Sequence, residues 1–134
     1  TMEFKTRILT NPISFTGSGP ALRSDKVGLQ LFSVFITNAG DGTDFNLNYV
    51  EMDRTWVLIT SATFPGVIKN KDISVKVKFY GNNLKLYLNG DPAPIFDEVF
   101  LPPVQSEGFV GFMTYAPYSS GSTAEFDDIC IYQE

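Results

Sequence analysis

Residues 73–90 read ISVKVKFYGNNLKLYLNG, and this stretch decides the fold. Ile73, Val75, Val77 and Phe79 alternate with Ser74, Lys76, Lys78 and Tyr80; after Gly81-Asn82-Asn83 the alternation resumes, with Leu84, Leu86 and Leu88 against Lys85, Tyr87 and Asn89. Successive side chains of a strand point to opposite faces, so each arm has one apolar and one polar face. Glycine and asparagine tolerate the positive φ that a tight hairpin requires. A lone hairpin is marginal in water, so the apolar face must lie on a second sheet.

The same pattern extends outward from this hairpin. Met2, Phe4, Thr6 and Ile8 face one way and Glu3, Lys5 and Arg7 the other, which predicts a first strand. Residues 16–20, Thr-Gly-Ser-Gly-Pro, read as a loop, followed by a short strand over 21–24. Residues 29–37 are apolar almost without a break, which suggests a strand buried on both faces or an aromatic-rich inner strand. Residues 38–43 are turn chemistry, and a return strand over 45–52 sets Phe45, Leu47, Tyr49 and Glu51 against Asn46, Asn48, Val50 and Met52. Strands over 56–63, 108–115 and 125–132 complete the set. The Pro-rich segment holding Pro92, Pro94, Pro102 and Pro103 belongs on an edge or crossover. No amphipathic helix of ten residues is present. The expectation is one domain over residues 1–134, an all-β, two-sheet antiparallel sandwich of jelly-roll type.

Composition narrows the chemistry. The chain is 43% hydrophobic and 14% aromatic, with a net charge of −5 and its ten Lys and Arg residues scattered. Nucleic acid and membrane surfaces are therefore poor partners. Cys130 is the only cysteine, which rules out an intrachain disulfide, and its setting between Ile129 and Ile131 suits a packed or edge thiol. The absence of histidine removes the usual general base and the commonest metal ligand. No apolar run approaches the ~18 residues of a membrane span. No signal peptide is visible, and the opening Thr1-Met2 reads as the start of an excised domain.

The order of these pieces resembles the concanavalin-A-like lectin/glucanase jelly roll in its laminin-G-like branch. The resemblance runs over residues 20–132. It rests on Ala21-Leu22-Arg23, the Trp-led strand at Trp56, the hairpin from Val75 to Gly90 with its G-N-x-L and N-G signatures, the G-F-V-G-F of residues 108–112, and the A-E-F-D-D-I of residues 124–129. It implies a secreted or cell-surface setting, a polysaccharide or glycan ligand, and neighbouring domains in a parent protein. It further implies that the last strand pairs with the first. Glu3 and Asp128 could then hold a structural calcium.

Sugar contact falls to Arg23, Trp56, Tyr115 and Tyr118. Aromatic faces stack on the C–H face of a sugar ring, and a guanidinium bonds its hydroxyls bidentately. Tyr115 and Tyr118 flank Pro117 in a Ser/Gly segment, where aromatics have little packing role. Glu51 and Asp53 have the E-x-D spacing of the laminarinase-type glycoside hydrolases, but no second Glu follows. The expected function is non-catalytic glycan binding. The alternatives are a structural or adhesive domain and a trimmed glycoside hydrolase.

Overall fold

A computed structural model describes residues 1–10, 17–25, 30–39, 42–51, 55–66, 70–100, 108–115 and 123–132. Among them there is no helix, and ten strands form two sheets. The strands are β1 (Met2–Thr10), β2 (Gly17–Ser24), β3 (Leu31–Ala39), β4 (Gly42–Val50), β5 (Trp56–Pro65), β6 (Ile73–Tyr80), β7 (Asn83–Leu88), β8 (Phe96–Val99), β9 (Phe109–Tyr115) and β10 (Thr123–Ile131). The first sheet runs β10-β1-β6-β7-β8 and the second β5-β4-β3-β2-β9. All pairings are antiparallel.

The alternation in the sequence becomes the inside and outside of this sandwich. Phe4, Ile8, Val75, Val77, Leu84 and Leu86 of the first sheet meet Val34, Ile36, Phe45 and Leu47 of the second in one buried cluster. Each such side chain contributes roughly 1.5–3 kcal/mol on leaving water. At one edge, Phe112 of β9 stacks on Phe126 of β10 at 4.1 Å, with Phe4 edge-on to Phe112 at 5.1 Å. These rings join the two sheets where neither has a further strand.

The hairpin at the centre of the sequence is tighter than a three-residue bend. Tyr80 pairs with Asn83, so only Gly81 and Asn82 turn. Gly81 has a φ of 54° and Asn82 is not in the positive region, the pattern of a type II′ turn. Just beyond, Asn89 and Gly90 both have positive φ, and the Asp91 N–H donates to the Leu88 carbonyl, a type I′ turn. The expected last-to-first pairing is present as β10 on β1. Glu3 pairs with Cys130 and Lys5 with Asp127, so Asp128 and Ile129 share a single opposing residue. Asp128 has a φ of 50°, which makes this a bulge with an aspartate in the left-handed position.

One expectation is corrected. Residues 17–20 are not loop: they begin β2, are buried, and lie between β3 and β9. Glycine serves here for close approach. A Cβ on Gly19 would lie 1.8 Å from the Val34 carbonyl oxygen, and one on Gly17 would lie 2.8 Å from Thr37 Cγ2. The ladder to β3 resumes at Ala21, past Pro20, whose nitrogen carries no proton.

Candidate functional site

The residues singled out for function that the structure describes lie in four separate places. Trp56 begins β5 and pairs with Val50. A bulge between the Leu47 and Asn48 pairings puts Thr60 opposite Leu47 and Leu58 opposite Asn48. Trp56 therefore projects from the outer side of the second sheet, outside the central core. Its indole stacks on Phe35 at 5.1 Å, with 29° between the planes, and Trp56 is 37% exposed. Phe35 faces outward because Phe32, Val34 and Ile36 fill the core, and alternation puts Leu31, Ser33, Phe35 and Thr37 on the other side.

Polar residues surround this stack. Asn46 and Asn48 of β4 lie opposite Phe35 and Ser33, and both point outward, between the core residues Phe45, Leu47 and Tyr49. The Asn48 amide donates to the Asn46 carbonyl at 3.1 Å, and Asp44 accepts the Thr63 hydroxyl at 2.8 Å. Deeper on the same face the Ser33 hydroxyl is 0% exposed and has no hydrogen-bond partner. A buried polar group left unpaired costs about 1–3 kcal/mol. Ala21, Leu31, Val50 and Met113 form a small apolar floor beside it.

Arg23 is elsewhere. It occupies a register shift between the Ala21 and Ser24 pairings to β9, with a φ of 49°. Its guanidinium lies 3.6 Å from the ring centre of Phe79, at the open end of the sandwich. Burial against that ring pushes its pKa below the ordinary arginine value. The backbone of Gly108 closes over it, since a Cβ there would lie 2.6 Å from the Arg23 carbonyl carbon. Arg23 thus caps the core on the first-sheet side, whereas Trp56 stands on the outer side of the second. Tyr115 ends β9 opposite Gly17, at the far end of the second sheet from Trp56. The six residue steps from Leu31 to Thr37 separate those two ends by about 20 Å. Tyr118 and Asp53 lie outside the described residues.

Glu3 and Asp128 occupy the fourth place, on the outer side of the first sheet. Lys76 holds Glu3 at 2.5 Å, and the Tyr132 hydroxyl donates to Glu3 at 2.6 Å. These two hydrogen bonds keep the Glu3 carboxyl below its ordinary range, and the bond to Glu3 pushes the Tyr132 phenol up. Asp128 pairs with Lys5 at 2.5 Å. Calcium takes six to eight oxygens, and here each carboxylate already carries an ammonium. No group of three or more acidic or Cys side chains with metal-binding geometry occurs among the described residues. As placed, the Glu3 and Asp128 carboxylates do not fit a calcium cradle.

The sequence reading missed Phe35, Ser33, Asn46 and Asn48. A usable signal was present in β4: asparagine is a poor strand residue, and two of them at alternating outward positions need a reason other than sheet propensity.

No family model matches the chain, and no curated protein sequence matches it. Among solved structures it is similar to the carbohydrate-binding module CBM66 from Bacillus subtilis, with a TM-score of 0.71 over 96% of this chain and 72% of that one, at 20% identity. That likeness establishes the antiparallel β-sandwich.

Proposed function

We propose that this chain is a non-catalytic carbohydrate-binding module of the concanavalin-A-like, laminin-G-like kind, carried by a larger extracellular protein. The observation that carries the reading is the outer side of the second sheet. There a partly exposed indole is braced flat against Phe35, beside the half-buried Asn46 and the buried Asn48. An indole face takes the C–H face of a sugar ring, and carboxamides donate to and accept from its hydroxyls. In this arrangement the polar anchors are Asn46 and Asn48, and Arg23 serves the sandwich end. The similar structure, named as a carbohydrate-binding module, supports the same class of ligand. Binding at such a shallow site is weak per module and gains strength by linkage to neighbouring domains.

The test is calorimetric titration against a panel of neutral polysaccharides, with Trp56→Ala as the paired variant. We expect one or more polymers to bind and Trp56→Ala to weaken binding at the platform at least about tenfold, or ~1.4 kcal/mol. Silence of the wild-type domain across the panel would overturn the reading.

A second reading, contact with a neighbouring domain or protein, is favoured by one observation. Phe109, Val110, Ile129 and Ile131 are all exposed along the edge where β9 and β10 lie over each other. It predicts that Ile129→Ser with Ile131→Ser leaves glycan binding intact and loosens the domain within its parent protein, read as faster proteolysis at the junction.

A further inference from the structure

The outer side of the first sheet is crowded with long side chains: Glu3, Lys5 and Arg7 on β1, Lys76, Lys78 and Tyr80 on β6, Lys85 and Tyr87 on β7. Ser74 is the exception. It pairs with Lys5 on one side, and on the other its backbone bonds Asn89, the Asn89 N–H reaching the Ser74 carbonyl at 2.8 Å. One short residue among long ones leaves a pit. A cleft of about 500 Å³ opens over Ser74, walled by Lys5, Lys76, Tyr87, the Gly90-Asp91-Pro92 turn and Asp128. That volume is within the range of small-ligand sites.

Two of the lysines that line the pit are held at its walls by carboxylates. Lys76 is pulled across β1 to Glu3, and Lys5 is pulled across β10 to Asp128. The second pull depends on the bulge: the left-handed backbone at Asp128 is what turns that carboxylate toward Lys5. A strained non-glycine residue at the wall of a cleft is the kind of feature that function retains. Each wall therefore ends in a fixed ammonium–carboxylate pair, the floor carries a hydroxyl, and one side is a phenol ring.

We propose that this cleft is a second carbohydrate site, separate from the Trp56 platform, and that it takes a single uncharged sugar residue; the choice of ligand class rests on the glycan reading above. The lining balances three carboxylates, Glu3, Asp91 and Asp128, against three ammoniums, Lys5, Lys76 and Lys78. A full charge of either sign meets as much repulsion as attraction there. A hydroxyl both donates and accepts, so neighbouring hydroxyls on one ring can bridge an ammonium and its carboxylate without breaking the pair. The Tyr87 ring supplies the apolar face.

The experiment measures stoichiometry and amide shift changes in labelled protein with neutral tetrasaccharides of glucose, mannose, xylose, galactose and fructose. An oligogalacturonate serves as the charged control. Four proteins are compared: wild type, Trp56→Ala, Ser74→Tyr, which fills the pit with a strand-compatible ring, and the conservative Ser74→Thr. The expected result is two sites in the wild type and in Ser74→Thr, and one in each of the other two. Shifts around residues 3–5, 74–78 and 87–92 should vanish only in Ser74→Tyr. A single site lost in Trp56→Ala and untouched by Ser74→Tyr overturns the second site and leaves the first. A single site lost only in Ser74→Tyr supports the cleft and removes the platform. No binding by any protein overturns both. Tighter binding of the oligogalacturonate at the cleft overturns the uncharged ligand class.

Discussion

On the outer side of the first sheet stand Glu3, Lys5, Arg7, Lys76, Lys85 and Asp97; on the outer side of the second stand Phe35, Thr37, Asp44, Asn46, Asn48 and Trp56. The first set is tied by ion pairs: Arg7 to Asp72 at 2.6 Å, Lys85 to Asp97 at 2.7 Å, Lys76 to Glu3 and Lys5 to Asp128. The second is tied by an aromatic stack, an amide and a hydroxyl. Both faces come from the same two-residue alternation, and their inner sides meet in one core. Burial on the outer side differs as well. Leu31, Ser33, Phe35 and Thr37 are all buried, whereas Ser74 and Tyr80 on the facing sheet are exposed. Alternation therefore settles which side is inside. It does not settle what an outside is for.

The sharpest way to break this comparison is a single methyl group. Gly19 lies so near β3 that an alanine Cβ would stand 1.8 Å from the Val34 carbonyl oxygen and 3.0 Å from its carbon. Those are backbone atoms in a central strand and cannot swing aside. Gly19→Ala should cost about 3 kcal/mol or more, at the upper end of overpacking penalties. The matched change on the other face, Ser74→Ala, should stay within about 0.5 kcal/mol. Urea denaturation of the two variants measures the difference. Equal stabilities would mean that β2 does not approach β3 as closely as described.

That glycine also marks where the sequence misled. Met2, Phe4, Thr6 and Ile8 announced their strand because the pattern is local, and the hairpin from Ile73 to Leu88 announced itself for the same reason. Gly17, Gly19 and Pro20 read as loop because glycine has two uses, tight turning and close backbone approach, and only the position of β3 distinguishes them. The candidate site was legible by residue type and not by place. Trp56 and Arg23 were singled out together by residue type, but which sides their side chains take depends on a bulge at Leu47 and a register shift at Ala21. Neither irregularity has a signature in the chain. Glu3 and Asp128 were placed on neighbouring strands correctly, because strand order followed from the resemblance. The lysines opposite them become visible only once register is known.

Acid should act on one face and spare the other. Glu3 is held below its ordinary pKa by Lys76 and Tyr132, Asp72 by Arg7, and Asp97 by Asn83 and Lys85. A carboxyl depressed in the folded state stabilises above its unfolded value of about 4, and that contribution is lost as pH falls through the lower folded value. Thermal stability should therefore decline below about pH 4. The decline should be shallower in Glu3→Gln with Asp72→Asn, and unaltered in Asn46→Ala on the opposite sheet. These groups are exposed, so each effect is small. In 1 M salt, where the Debye length is about 3 Å, the neutral-pH gap in Tm between the double variant and wild type should narrow. If Asn46→Ala changed the acid slope as much as Glu3→Gln, the division between the ion-paired face and the face held by an aromatic stack and amides would be wrong.

The smallest expected effect is none, and it tests what holds the charged face together. A calcium ion shared by Glu3 and Asp128 would have to displace Lys76 from one and Lys5 from the other, leaving two ammoniums beside a dication. Its coordination would also need four or more further oxygens. A ligand present at a hundred times its Kd adds about 2.7 kcal/mol to the folded state. For a domain of this length that would raise Tm by roughly 5–10 °C. With lysines as the partners, millimolar calcium and then excess chelator should leave Tm unchanged, and Lys5→Met with Lys76→Met should lower it modestly. A rise of several degrees with calcium, abolished by Asp128→Asn, would make the metal the true partner. The lysines would then count as stand-ins, and the cleft over Ser74 would lose the fixed walls on which its ligand class depends.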